Sequence, residues 1–341
     1  MSAPLLLVAV FNEAQRWALP EAHVDRLREG LGDSARVEQV RTRAALLDRL
    51  DEAAMLMGLP LSESQLQGRG GSLRFVQLVS PYAESLAPIR RVIDLGARVA
   101  GTAPIRAVPV AEHAIALLLT LTRGVDRAVL AQTSHRWASA EIAGGCRDLA
   151  DLTVGIVGLG EIGRAIARRL AAFGCEVLAT RRPGATPDEE DDDAASIARL
   201  LPAESLDELL GRSGVVILAD DTPGRDRPLL DRALFESLSP GALLINVASG
   251  TAFRENELLL ALRRGRVGAA ALDALDHRPL PPNSSLWNTP NVLITPSVAA
   301  ASPSAWRRAV DVTIENIARL RADRPLRDEI VLAPAEPAAA P

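Results

Sequence analysis

The residues with the clearest chemical meaning are three glycines at a fixed spacing. Gly158, Gly160 and Gly163 follow the apolar run 154–157 and open a stretch rich in alanine and arginine. Such glycines permit a tight turn, the approach of a pyrophosphate to the backbone, and close packing of a helix whose N-terminus favours negative charge. The pattern therefore predicts a dinucleotide site. Its predicted contacts in the loop are Gly158, Gly160, Glu161, Ile162 and Gly163.

The residues that close the next predicted strand distinguish the two nicotinamide cofactors. An acidic side chain at this place accepts hydrogen bonds from the ribose 2′-hydroxyl of NAD. Here the chain has Thr180, Arg181 and Arg182, and no carboxylate. Two guanidinium groups form charge-assisted hydrogen bonds with a 2′-phosphate, so the sequence favours NADP(H) over NAD(H). The alternative is that both arginines are solvated loop residues.

The chain contains no lysine, because all 38 basic residues are arginine. This absence excludes Schiff-base catalysis by lysine, a phosphate-loop lysine and the tyrosine–lysine pair of some reductases. The acid–base candidates that remain are four histidines, two cysteines, Tyr82 and the carboxylates.

The negative charge of the chain is concentrated in one acidic run, residues 188–193. Removing its six charges from the net charge of -5 leaves +1, so the rest of the chain is near neutral. A protein without a basic stripe is not expected to bind nucleic acid. The run is interpreted as a solvated loop, with a contact to a basic partner as the alternative.

Two cysteines, Cys146 and Cys175, are too few for a disulfide framework in a chain of 341 residues, and they match no metal-ligand spacing. We therefore expect a reduced, cytoplasmic protein without a metal site. The most apolar helical stretch, residues 114–121, is well below the ~20 residues that span a bilayer, so no membrane partner is expected.

The elements that would position these residues alternate between short apolar runs and longer amphipathic stretches. Strands are predicted at 5–10, 54–59 and 73–79, and six more at 152–157, 176–179, 215–218, 243–247, 267–272 and 292–295. A long helix is predicted at 110–123, after Pro109, followed by an irregular segment to about residue 145. This alternation predicts an α/β fold with doubly wound parallel sheets. The tail 334–341 contains only Ala, Pro and one Glu, so we expect it to be disordered.

Several motifs together resemble the D-isomer specific 2-hydroxyacid dehydrogenase family. They are the segment 109–113 (Pro-Val-Ala-Glu-His), the glycine loop, and the segments 244–250, 268–273, 286–287, 290–292 and 295–296. The resemblance implies two Rossmann-like domains: a flavodoxin-like substrate domain at 1–106 and 303–333, and a dinucleotide-binding domain at 107–302. It also implies an active cleft between them and a homodimer formed through the cofactor domain.

The resemblance further implies that Asp273 contacts the nicotinamide carboxamide. Together with the glycine loop, the expected cofactor contacts are Thr180, Arg181, Arg182, Asp220, Thr222, Val247, Ala248 and Asp273.

The family's acid–base residues are replaced in this chain. Ser249 stands at the position of the family's arginine, Arg278 at that of its glutamate, and Ser297 at that of its histidine. Serine does not donate a proton near neutral pH without a partner base, and arginine keeps its proton. A glycine-containing turn for the substrate carboxylate is also lost, because Pro81 and Tyr82 occupy it. We therefore expect reduction of ordinary 2-keto acids to be severely impaired.

Two hypotheses follow. In the first, the protein is an NAD(P)-dependent reductase for an imine, an activated alkene or an unusual carbonyl, and Arg278 holds an anionic group of this small molecule. His277 or Tyr82 would then donate the proton, although a solvated His277 and a packing role for Tyr82 are the structural alternatives. In the second, the protein is an inactive dinucleotide-binding sensor or scaffold. The retained Asp273 favours the enzyme, and His113 is interpreted as a residue of a domain junction or interface.

Overall fold

The computed structural model describes residues 3–79, 86–180, 197–220, 228–248, 252–277 and 279–332. The chain forms two compact units, Met1–Ile105 with Ser302–Pro341, and Arg106–Ala301. The predicted boundaries at 106 and 303 lie one residue from those of the first unit. The acidic run 188–193 and the tail 334–341 lie outside the described residues.

The first unit is built on a parallel sheet of five strands. These strands are β1 (Leu5–Val8), β4 (Arg36–Gln39), β5 (Met55–Met57), β6 (Phe75–Gln77) and β7 (Arg98–Ala100), and a separate hairpin is formed by β2 (Phe11–Asn12) and β3 (Trp17–Ala18). The sheet order β4-β1-β5-β6-β7 becomes 2-1-3-4-5 when the hairpin is not counted. This is the flavodoxin-like order, which confirms the predicted architecture. The helices of the unit are α1 (Glu21–Leu31), α2 (Arg43–Arg49), α3 (Ala87–Asp94) and, at the C-terminal end, α11 (Ala305–Arg321).

Strand β1 shows why the sequence of this sheet reads as continuous apolar runs. Leu6 and Val8 belong to one buried apolar cluster, while Leu5 and Leu7 belong to another. Successive side chains of a strand point to opposite faces, so both faces of the sheet are covered. The predicted strands in this unit were too long at both 54–59 and 73–79, and the short strands β4 and β7 were not predicted.

The second unit is built on a parallel sheet of seven strands. They are β8 (Thr153–Val157), β9 (Glu176–Thr180), β10 (Arg199–Leu201), β11 (Val215–Leu218), β12 (Ala242–Asn246), β13 (Val267–Leu272) and β14 (Val292–Ile294). The order β10-β9-β8-β11-β12-β13-β14 is the Rossmann order 3-2-1-4-5-6 with one further strand. The prediction of six strands was wrong because β10 lies at the sheet edge and buries only Leu201, so its sequence carries little apolar signal.

The helices of this part of the chain are α4 (Ala103–Arg123), α5 (Val125–Thr133), α6 (Ser139–Ala143), α7 (Glu161–Leu170), α8 (Leu206–Arg212), α9 (Arg232–Ser237) and α10 (Glu255–Arg263). Helices α5 and α6 occupy the segment that was predicted to be irregular, so that prediction was wrong. Their exposed apolar residues obscure the usual helical pattern, since Val129 and Leu130 are half exposed or more.

Helix α4 begins at Ala103 and passes through Pro109, whereas the sequence predicted a helix that begins after this proline. Proline lacks the N–H that would bond to the carbonyl of Ile105, one turn earlier. The guanidinium Nε of Arg308 donates to that carbonyl instead, at 2.8 Å. A side chain more than two hundred positions away therefore supplies the missing donor, which no local pattern predicts.

Helix α4 is also much longer than the apolar stretch 114–121 that was compared with a membrane span. At 21 residues the helix is long and apolar enough to cross a bilayer by length and composition alone, and the predicted stretch 114–121 was too short. However, 56% of its most apolar 18-residue stretch is buried inside the fold, as in a core helix.

Candidate active site

The predicted cofactor residues of the second unit follow strands that end at one edge of its sheet. Val157 is in register with Thr180 and with Leu218, and Asn246 is in register with Leu218 and with Leu272. The strand order reverses between β8 and β11, and ligands of open parallel sheets bind outside the carboxyl ends at such a point. The glycine loop follows β8 and therefore lies where a dinucleotide is expected.

Two of the three glycines are required by close packing of the backbone. Gly158 has a φ of +96°, and a Cβ there would lie 2.6 Å from the Cβ of Asp220. A Cβ on Gly163 would overlap the carbonyl oxygen of Gly158, because α7 packs directly on the loop. The N–H groups of Gly158 and Leu159 donate to the carbonyl of Thr180, at 3.1 and 3.0 Å. The loop is thus fixed against both the helix and the next strand.

The middle glycine has a different environment. Among the described residues no atom would lie within 4 Å of a Cβ on Gly160, so their packing does not require a glycine here. Gly160 is also the N-cap of α7, where free N–H groups and the helix dipole favour an anion. An open backbone surface at a helix N-terminus suits a pyrophosphate. A dinucleotide therefore fits this loop, with Glu161 and Ile162 in the first turn of the helix behind it.

Further predicted cofactor residues follow the neighbouring strands. Asp220 lies two residues after β11, and Val247 and Ala248 follow β12 directly; all three are buried. The side chain of Asn246 orders this second turn, since its amide donates to the carbonyl of Ala274 at 2.8 Å and its oxygen accepts from the N–H of Ala248 at 3.2 Å. The predicted residues are therefore held on turns at the same sheet edge as the glycine loop.

Asp273, directly after β13, is the centre of a hydrogen-bond cluster. Its Oδ1 accepts from the hydroxyl of Thr295 at 2.7 Å and from the N–H of Val298 at 2.9 Å, and its Oδ2 accepts from the N–H of Ala299 at 3.1 Å. The imidazole Nε2 of His113 lies 3.3 Å from Oδ1 and 2.9 Å from the hydroxyl oxygen of Thr295. The carboxylate thus ties the turn after β14 to helix α4.

The same contacts determine the charge of Asp273. Burial alone raises the pKa of this carboxyl, but the hydrogen bonds from His113, Thr295, Ala299 and Val298 outweigh it and hold the pKa below the ordinary value. The group is therefore a carboxylate at neutral pH, and it is only 8% exposed.

Ser297 lies on the turn that Asp273 holds. Its N–H donates to the carbonyls of Thr295 and Asp273, at 2.9 and 3.1 Å, and its hydroxyl donates to the carbonyl of Asp273 at 3.1 Å. Its φ of +56° is in the left-handed region, which is unusual for a residue other than glycine. The single hydroxyl hydrogen of Ser297 is thus donated to the backbone.

His277 is in a different environment from His113. It is exposed and lines a cavity of about 350 Å³ together with Asp276, Glu255 and Phe253. Burial raises the pKa of Asp276, His277 lowers it, and Glu255 raises it further, with a net rise. Among the described residues, His113 is the only histidine whose ring forms a hydrogen bond.

Six predicted site residues lie outside the described residues, so the structure does not bear on their placement. They are Tyr82, Arg181, Arg182, Thr222, Ser249 and Arg278. The sequence-based interpretation missed the contact of His113 with Thr295 and Asp273. No local signal could reveal it, because His113 and Thr295 are 182 positions apart in the chain.

Comparison with known proteins gives a family and several relatives. The model of the D-isomer specific 2-hydroxyacid dehydrogenase NAD-binding domain matches residues 115–299. Glyoxylate/hydroxypyruvate reductase A of Photorhabdus laumondii is 34% identical over 211 residues, which are 61% of this chain and 63% of that protein. Glyoxylate reductase/hydroxypyruvate reductase of Homo sapiens is 30% identical over 240 residues, or 70% of each chain. The match therefore spans less than two thirds of the first relative's length.

A solved structure is similar over nearly the whole chain. It is a D-isomer specific 2-hydroxyacid dehydrogenase of Xanthobacter autotrophicus Py2 in complex with NADPH and MES. The identity is 25%, the TM-score is 0.75, and the likeness covers 97% of this chain and 98% of the other.

Proposed function

Because the chain belongs to the D-isomer specific 2-hydroxyacid dehydrogenase family, we propose that it is an NAD(P)-dependent reductase with an atypical small-molecule substrate. The family consists of nicotinamide-dependent oxidoreductases, and the glycine loop retains the features that a dinucleotide needs. A bound nicotinamide supplies the hydride. The residues of the chain must then orient the acceptor and deliver a proton.

The observation that carries this proposal is the environment of Ser297. It stands at the position of the family's histidine, and its hydroxyl donates to the carbonyl of Asp273 at 3.1 Å. Loss of a general acid typically lowers the rate by about 10²- to 10⁴-fold. Ser249 also stands at the position of the family's arginine, which polarises the substrate carbonyl. Ordinary 2-keto acids are therefore expected to be poor substrates, and imines, activated alkenes or unusual carbonyls better ones. We assign to Arg278 the binding of an anionic group on that substrate.

The decisive experiment follows NADPH oxidation by absorbance with panels of 2-keto acids, imines and enoates. Turnover of at least one imine or enoate class well above that of glyoxylate and pyruvate is expected. Rapid turnover of glyoxylate or pyruvate would contradict the loss of the family's proton donor. The absence of turnover with every panel would favour the alternative, a dinucleotide-binding sensor or scaffold.

A restoring variant tests the residue assignments independently. Ser249→Arg, Arg278→Glu and Ser297→His together rebuild the family's acid–base set in this chain. The triple variant is expected to gain 2-keto acid reduction, with Ser249→Arg alone as the matched control, because it restores neither the glutamate nor the histidine of the family's set. A triple variant that still fails on keto acids would show that these positions were assigned incorrectly.

We also propose that NADP(H) is the preferred cofactor. Strand β9 ends at Thr180, and the next two residues are Arg181 and Arg182, so no carboxylate is available to bind a ribose 2′-hydroxyl. The similar Xanthobacter protein was solved with NADPH. Titration is expected to give tighter binding of NADPH than of NADH, and the double change of both arginines to alanine is expected to remove the difference. Equal affinities in the wild type would refute the preference.

A homodimer through the cofactor unit is our proposal for assembly. An apolar surface is exposed on α5 and the residues after it, where Val129, Leu130 and Trp137 are 53%, 67% and 95% exposed. Exposed apolar patches of this kind mark protein contacts. Sedimentation is expected to show a dimer that Leu130→Ser with Trp137→Ser converts to a monomer, while the exposed Val331→Ser serves as control. A wild-type monomer at high concentration would refute it.

The two cysteines support a reduced, cytoplasmic setting, which stays a proposal. Both are free, and burial raises the pKa of the Cys175 thiol, which keeps it in the unreactive protonated form. Alkylation of the protein isolated without reductant is expected to find both thiols free. A mixed disulfide at Cys146 would contradict this setting.

A further inference from the structure

We propose that His113 is the proton donor of this site, held by Thr295 and Asp273 and acting through its Nδ1. The inference rests on the proposed reductase function and names the group that takes the place of the family's lost imidazole. It differs from the sequence-based candidates, since His277 and Tyr82 were chosen by their position in the chain.

The direction of each hydrogen bond follows from the number of hydrogens available. A carboxylate only accepts, so the hydroxyl of Thr295 must donate its single hydrogen to Asp273 Oδ1, at 2.7 Å. The hydroxyl oxygen can then only accept from His113 Nε2, which lies 2.9 Å away. Nε2 therefore carries a hydrogen whether the ring is neutral or charged. Only Nδ1 is left to gain and lose a proton.

Nδ1 is the ring nitrogen that remains to exchange this proton with a ligand. Among the described residues no hydrogen bond to His113 Nδ1 is found, and the side chain is 21% exposed. A carboxylate that orients an imidazole through one nitrogen and leaves the other for the reaction is a common arrangement for acid–base catalysis. Here the orienting carboxylate also holds the turn that carries Ser297, where the family has its histidine.

Two charged groups lie near His113. Asp273 is in contact with the ring, while Glu112, the neighbouring residue on α4, is 3.4 Å from Arg169 of α7. Hydrogen bonds keep the pKa of Asp273 low, so this group is negatively charged at neutral pH. It therefore stays an acceptor for Thr295, and the direction of both hydrogen bonds is preserved.

The proposed step adds one hydride and one proton to the substrate. As hydride adds to the carbon of a C=O or C=N bond, the electron pair of that bond takes the Nδ1 proton of His113. The product is an alcohol or amine, and the imidazole becomes neutral while Nε2–H remains bonded to Thr295. A proton from bulk solvent then restores the imidazolium at Nδ1.

The test combines His113→Gln with a nuclear magnetic resonance measurement on the full-length protein. Glutamine can still donate a hydrogen bond to Thr295 but cannot transfer a proton. On whichever substrate the wild type reduces, kcat is expected to fall by about 10²- to 10⁴-fold. The dissociation constant of NADPH is expected to stay within twofold, and the control His23→Gln to leave kcat unchanged. A merely structural role for His113 predicts rescue by glutamine.

Two further measurements do not depend on the size of the rate loss. In protein labelled with ¹⁵N at histidine and loaded with NADP⁺, the neutral His113 ring is expected to carry its hydrogen on Nε2, and a hydrogen on Nδ1 would overturn the proposal. Thr295→Val is expected to lower kcat and weaken the preference for Nε2–H, whereas Thr295→Ser keeps both.

The outcomes separate this inference from the proposed function. If the wild type reduces a substrate and His113→Gln retains its rate and pH profile, the proton-donor role is wrong while the reductase function stands. If the wild type reduces nothing in the panels, the reductase function fails and the donor role fails with it.

Discussion

Replacement of Gly160 by alanine separates the binding of a dinucleotide from the folding of its loop. A Cβ on Gly160 meets no atom of the residues that the structure describes within 4 Å, and the residue has a φ of -86° and a ψ of -162°, which alanine adopts without strain. Substitution of glycine at such a position typically stabilises a protein by about 0.4–1 kcal/mol, because the unfolded chain loses freedom. Gly160→Ala is therefore expected to fold at least as well as the wild type.

The same methyl group would occupy the open surface where a pyrophosphate approaches the backbone. We expect the dissociation constant of NADPH to rise at least tenfold, which corresponds to about 1.4 kcal/mol. Gly163→Ala is expected to behave differently, because its Cβ overlaps the carbonyl oxygen of Gly158. Overpacking of this kind costs about 1–3 kcal/mol of stability, so this variant should lose both stability and affinity.

The assay measures NADPH fluorescence on titration and, separately, unfolding in urea for each variant. Gly71→Ala is the matched control, because no atom in the described part of the chain lies within 4 Å of its Cβ position and it is far from the loop in sequence. It is expected to change neither property. A Gly160→Ala protein that binds NADPH as tightly as the wild type would refute the assignment of this loop to the pyrophosphate.

Three further outcomes are expected from the fold. Asn316→Leu should cost about 1–3 kcal/mol in urea unfolding, because it leaves the buried Gln77 oxygen, 2.9 Å from the Asn316 amide, without that donor. Burial raises the pKa of Glu329, but hydrogen bonds from Arg98 and Leu326 outweigh it and lower the pKa. The free energy of unfolding that these bonds contribute is complete above the unfolded pKa of ~4.3 and is lost as pH falls through the folded pKa. Glu329→Gln should therefore make stability depend less on pH in acid. Asp231→Ala should cost about 1 kcal/mol, because the carboxylate caps α9 by accepting from the N–H of Leu234 at 3.0 Å.

The two parallel sheets could be predicted because parallel strands are buried on both faces and therefore stand out as apolar runs, while their strand orders were implied only by the family resemblance. Where burial is partial, this signal disappears: β10 buries only Leu201 and β4 only Val37. Proline also misled the interpretation, since a helix continues through Pro109 only because Arg308 supplies a donor to Ile105. Such compensation depends on tertiary contacts, which spacing along the chain does not contain.

The site residues also differ in whether local sequence or tertiary contacts define them. The glycine loop is local, so its three glycines carry their function in their spacing, and the packing of Gly158 and Gly163 agrees with it. The acid–base group is not local, because an imidazole is defined by what holds it, and the partners of His113 come from the ends of β13 and β14. Matching residues to a family pattern finds that the histidine at 297 is gone. It does not find that another imidazole is bonded to the same turn, and this is why the loss of a motif residue does not by itself establish the loss of a proton donor.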